Sequence, residues 1–186
     1  MRYGIDMGAT KRTALVIYDT RYGNCQRIAG MLVKALHDFD SIDSERIGMP
    51  GFTQQKVIDA RPDLIIFGAP IHGGKWSWAM RRWVKRFDKI LAKHDAKASH
   101  GSDWKPSVAI FYTHLDNTPI PALELHLRKF IYGTSLEPKA CKTFFNISVT
   151  QVDGKPSDLP NSTQKDIDEF ARLIQQFVIK SCQDNK

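Results

Sequence analysis

Short, nearly unbroken apolar runs alternate along this chain with stretches in which apolar residues recur every three or four positions. Thr13-Ala14-Leu15-Val16-Ile17-Tyr18, Leu64-Ile65-Ile66-Phe67-Gly68 and Ser107-Val108-Ala109-Ile110-Phe111-Tyr112 are runs of the first kind. They are brief and rich in β-branched and aromatic residues, which predicts buried strands. Thr143 to Val149 alternates more clearly, as a strand at a sheet edge does, and Ser41 to Met49 offers a weak strand. Helical spacing predicts helices over Asn24 to Phe39, Thr53 to Ala60, Trp78 to about Lys93 and Pro121 to Ile131. A last helix carries Ile167, Phe170, Ala171, Ile174, Phe177 and Val178 on one face. Ala69 to Ser77, His94 to Lys105 and Val152 to Asn161 read as polar or glycine- and proline-bearing connections.

Strands and helices alternating at this spacing predict an α/β fold, a five-stranded parallel sheet covered on both faces. A doubly wound sheet of order 2-1-3-4-5 binds its ligand outside the carboxyl ends of the strands, where the order reverses. Three loops should converge there. They read Thr20-Arg21-Tyr22-Gly23-Asn24-Cys25, Pro70-Ile71-His72-Gly73-Gly74-Lys75-Trp76-Ser77 and Thr113-His114-Leu115-Asp116-Asn117. In the first, a strand turns through hydroxyl, glycine and amide residues into a helix, which forms a cup of backbone N–H groups suited to phosphate.

At 186 residues the chain has room for one domain with a sizeable core. That domain is expected over residues 13–182, behind a short leader of residues 1–12 that lacks the apolar block of a secretory signal. Three widely spaced cysteines give neither a disulfide framework nor a zinc pattern, so a reducing cytoplasm is the expected setting. The charge is distributed unevenly. Between Lys75 and Lys97 stand eight basic residues against two acids, a surplus of six in a chain whose net charge is +7. Because its apolar face is needed for the core, Arg81, Arg82, Lys85, Arg86 and Lys89 are expected to form a positive outer surface. Such a surface suits an acidic redox partner protein or an anionic membrane surface. Nucleic acid is not expected, since no recognised binding module accompanies the charge.

The first loop resembles the phosphate loop of the flavodoxin family, a Thr/Ser-x-x-Gly-x-Thr stretch that encloses the phosphate of FMN. The match runs through Thr20, Gly23 and Asn24 and fails at Cys25, where the family has threonine. Asp63 to Pro70 is similar to the family's second signature, in which a Gly-small-Pro turn leads into a loop flanking the flavin ring. The resemblance covers the chain from Thr13 onward and implies a flavodoxin-like fold with FMN held by the three loops. It places the phosphate on Thr20, Arg21, Tyr22, Gly23, Asn24 and Cys25. The ring falls to Pro70, Ile71, His72, Gly73, Gly74 and Trp76 on one side, and to Thr113, His114, Asp116 and Asn117 on the other. Trp76 is the expected stacking face, His72 and His114 are candidate ring contacts, and the N–H groups of Gly73 and Gly74 are candidate partners of flavin N5. A thiol is a weaker donor than a hydroxyl; with bonds to charged groups worth roughly 1.5–3 kcal/mol, Cys25 is expected to weaken FMN about tenfold. A cation at Arg21 would offset that loss.

The function this implies is electron transfer through FMN. One alternative is an FMN-dependent oxidoreductase acting on a quinone, NAD(P)H or protoporphyrinogen, since protoporphyrinogen dehydrogenases of this superfamily carry a similar loop and tend to be basic. Another is a degenerate flavodoxin fold without FMN that serves as an interaction module. No Walker A sequence, metal-ligand spacing or Ser-His-Asp arrangement competes. Asp19 alone, without an acidic cluster, does not make a receiver domain.

Overall fold

The computed structural model describes residues 12–97, 104, 106–115, 120–131, 134–136, 140–149, 151–152, 155–156 and 159–183. Residues 1–11 of the expected leader, and Asp116 and Asn117 of the third loop, lie outside them. In chain order the elements are β1 (Thr13–Tyr18), α1 (Asn24–Ala35), β2 (Ser41–Arg46), α2 (Gln54–Ala60), β3 (Leu64–His72), β4 (Lys75–Trp76) and α3 (Trp78–Lys97). They continue with β5 (Ser107–Leu115), α4 (Ile120–Ile131), β6 (Ala140–Val149), β7 (Gln151–Val152), β8 (Lys155–Pro156) and α5 (Thr163–Gln183).

The five long strands are parallel and lie in the order β2-β1-β3-β5-β6, the doubly wound order expected. The strands alternate their side chains between two cores. Ala14, Val16 and Tyr18 of β1, with Leu64, Ile66, Ala109 and Phe111, pack against α1 and α5. Leu15, Ile17, Ile65, Phe67, Ile110 and Tyr112 pack on the other face, against α2, α3 and α4. The order reverses between β1 and β3, so their carboxyl ends part above the sheet.

Three connections differ from the sequence-based expectation. The first helix ends at Ala35 rather than Phe39. Leu36 and Phe39 are nevertheless buried, which prolongs the apolar pattern past the helical backbone. The expected loop from Ala69 to Ser77 is largely strand: β3 runs on to His72, its Pro70 paired with Thr113, and the chain folds straight back through β4. Gly68-Ala69-Pro70 is therefore extended rather than a turn. Gly73 (φ 56°) and Gly74 (φ 70°) form a two-residue hairpin tip, both in the left-handed region that this turn demands. Finally, Trp104, expected in a polar linker, is buried, its indole N–H donating to the Pro62 carbonyl at 2.9 Å.

Candidate functional site

At the carboxyl ends of β1, β3, β5 and β6 lies a cleft of about 140 Å³, bordered by the start of α1. One wall, the loop between β1 and α1, is made by Thr20, Arg21, Tyr22, Asn24 and Cys25. Asp19 is tied into the sheet by its N–H, which donates to the Gly68 carbonyl at 2.8 Å. Thr20, 7% exposed, then accepts the Gly23 N–H on its hydroxyl at 2.9 Å, closing a tight turn. Gly23 caps α1 at φ 89° and contributes no side-chain oxygen to the helix. The first-turn amides are therefore left without a side-chain cap, with their positive dipole end at the cleft. Arg21 and Tyr22 are exposed, the guanidinium 5.4 Å from the centre of its neighbour's ring.

The opposite wall comes from Pro70, Ile71 and His72 of β3, Thr113, His114 and Leu115 of β5, and Val149 at the end of β6. Pro70, Ile71, Leu115 and Val149 make this wall substantially apolar. His114 is 3% exposed and held on both ring nitrogens, by the Leu115 carbonyl oxygen at 2.9 Å and the Asn146 side-chain amide at 3.3 Å. Its ring is a fixed part of the wall, whereas His72 is exposed at the rim.

Trp76 corrects an expectation. It is 1% exposed and sits in the core on the α3 and α4 side, edge-on to Phe130 at 6.2 Å. The register of the hairpin, with Trp76 opposite buried Ile71, turns the indole inward. It is not among the cleft-lining residues, and Tyr22 is the exposed aromatic there. Gly73 and Gly74 stand at the exposed hairpin tip next to His72.

Two positioning residues went unassigned in the sequence. Ser77 donates its hydroxyl to Asp19 at 2.6 Å and accepts the Met80 N–H at 3.2 Å, so one side chain caps α3 and ties it to the loop after β1. Arg46, at the end of β2, donates to the Thr20 carbonyl at 3.2 Å. A serine directly before the helical pattern hints at the cap; nothing local points Arg46 to Thr20.

Cys25 behaves unlike a helix-terminal thiol. Burial pushes it from 9.0 up to about 12; the Asp19 carboxylate adds to the rise, while a hydrogen bond with Thr113, Sγ to Oγ1 at 3.5 Å, opposes it. Desolvation thus outweighs the helix dipole that would lower a thiol pKa at this position. Thiolate is the nucleophile, so at pH 8 Cys25 in the folded protein is expected to resist iodoacetamide and to react only after denaturation. Peptide-level mass spectrometry resolves this site, and fast native labelling would show that the thiol is not sealed.

No family model matches the chain, and no curated protein matches it in sequence. Solved structures match in fold. Flavodoxin 2 from Bacillus cereus superimposes with a TM-score of 0.57 at 16% identity, over 88% of this chain and 98% of its own. A flavodoxin, WrbA-like protein from Agrobacterium tumefaciens gives 0.57 at 15%, over 91% and 99%. Rubredoxin oxygen:oxidoreductase from Desulfovibrio gigas gives 0.58 at 9%, over 91% of this chain, which spans only 37% of that protein's length. The fold is flavodoxin-like.

Proposed function

We propose that the cleft binds FMN, with the phosphate in the cup at the start of α1, and that the protein transfers electrons through it. The carrying observation is one juxtaposition. A helix N-terminus without a side-chain cap faces a partly apolar cleft at the point where the strand order reverses. Gly23 suits the cup because a Cβ built there meets nothing within 4 Å, leaving open space beside the amides.

Thr20 holds the turn that aims those amides, and Asp19 fixes the loop to the sheet. Arg21 sits in the wall where a cation offsets phosphate charge. On the ring side, Pro70, Ile71, Leu115 and Val149 exclude water, and Tyr22 supplies an aromatic surface in place of Trp76. When bound, FMN supplies one- or two-electron chemistry that the protein tunes through its contacts.

The test is a spectrum of the purified protein with and without added FMN. Yellow protein, or quenching of FMN fluorescence at one equivalent, is the expected result. A colourless protein that leaves added FMN unchanged would leave this fold an interaction module. With FMN bound, stoichiometric reduction marks a carrier. Sustained turnover of NAD(P)H or a quinol would instead mark an oxidoreductase.

A further inference from the structure

A second hollow differs from the phosphate cup in character. It is a groove of about 690 Å³ between α3 and α4. Arg81, Arg82, Lys85, Arg86 and Lys89 line it from α3, and no carboxylate is among its lining residues. These cations fall in two rows, Arg81-Lys85-Lys89 and Arg82-Arg86, each stepping by four residues, which is about 6 Å along a helix. The rows together extend about 12 Å.

The groove also has an aromatic end. Trp78 is 65% exposed, with the Arg82 guanidinium 5.1 Å from its ring centre. Across the groove, Phe130 of α4 has the Lys85 ammonium 5.9 Å from its ring. Two groups remain unsatisfied within it: Arg81 Nε and His126 Nε2 are buried atoms without a hydrogen-bond partner among the described residues. Burial, and then the charges of Arg81 and Lys75, lower the His126 pKa, which fits a strongly positive local field.

We propose that this groove docks an acidic helical segment of a partner protein, its carboxylates spaced one turn apart along the two cationic rows and an apolar side chain seated against Trp78. Three observations favour this occupant. The charges line a concavity, with half-buried Arg81 set deeper than exposed Arg82, Lys85, Arg86 and Lys89, so a flat lipid surface would not meet them together. The charges repeat regularly over a length greater than one phosphate group, which suits a polymer of anions. Trp78 next to Arg82 has the chemistry of an interface hot spot, where an aromatic anchor and a guanidinium act together. The inference concerns a surface separate from the FMN cleft and does not depend on cofactor binding.

The test uses the full chain and a fluorescein-labelled, helix-forming peptide with glutamates at every fourth position and one central leucine, followed by anisotropy. Saturable binding at low salt is expected, weakening at least about tenfold as salt is raised and the Debye length shrinks. Arg82→Glu/Arg86→Glu should weaken it a further tenfold or more. Lys34→Glu/Lys165→Glu, with the same change in net charge at exposed sites elsewhere, should leave it within about twofold. Melting curves establish that each variant folds, and Arg82→Gln/Arg86→Gln replaces the reversal if it does not. Equal losses in both pairs of variants would overturn the proposal. So would an absence of peptide binding at low salt, or binding to vesicles containing phosphatidylserine when the peptide does not bind. The result should be the same with and without FMN, so failure here is distinct from failure of the cofactor assignment.

Discussion

Gly68→Ala is expected to destabilise the fold by about 1–3 kcal/mol, the usual cost of forcing an atom into a packed core. A Cβ built on Gly68 would overlap Cζ and Cε1 of the Phe111 ring. The ring belongs to the paired residue on β5, is fully buried, and fills the space where Gly68 has no side chain. It cannot retreat without displacing the core beneath α1 and α5. At about 2–4 °C per kcal/mol for a chain of this size, the substitution should lower the melting temperature by several degrees. Gly30→Ala in α1, where nothing lies within 4 Å, should raise it slightly, because alanine is the better helix former. Pairing Gly68→Ala with Phe111→Leu should recover part of the loss. An unchanged melting temperature in the single variant would show that the ring does not require this glycine.

Gly23→Val is expected to weaken FMN at least about tenfold, or 1.4 kcal/mol. Space is not the obstacle; conformation is. At φ 89° and ψ −16° the backbone occupies a region that a β-branched residue enters at a cost of about 1–3 kcal/mol. The turn either carries that strain or opens, and opening breaks the Gly23 N–H bond to Thr20 and moves the amides of the cup. Gly48→Val separates the two effects. Gly48 has φ 81° and the same open surroundings, but lies after β2 and outside the cleft lining. Both variants should lose stability, and only Gly23→Val should lose FMN. Equal FMN affinity in the two would remove the phosphate from this loop.

The alternation of apolar runs and helical spacing carried the elements and the parallel sheet, because these depend on local pattern, while the strand order followed from the phosphate-type loop after the first strand. The glycine-bearing turn between β1 and α1 was legible because Thr20, Gly23 and the start of α1 are neighbours in the chain. What escaped depends on partners brought together by the sheet. His114 is fixed by Asn146, and Thr20 by Arg46, each on another strand. Why a glycine stands at 68 escaped as well, because its reason, Phe111, is visible only across the paired strands. Trp76, expected at the ring, is buried and Trp78 is exposed, a difference that follows from a two-residue hairpin that no periodicity marks.

That hairpin sets the phase of everything after it. With two glycines at the tip, Trp76 faces Ile71 and the core, Ser77 reaches Asp19, and α3 begins with its cations outward. Side chains reverse direction at every residue of a strand, so a one-residue deletion at the tip would exchange the environments of Lys75 and Trp76. An ammonium group would then be buried beside Phe130 and an indole released to water. Substitutions at this tip are local events, but a change in its length would propagate into the phosphate-loop anchor and the cationic groove together.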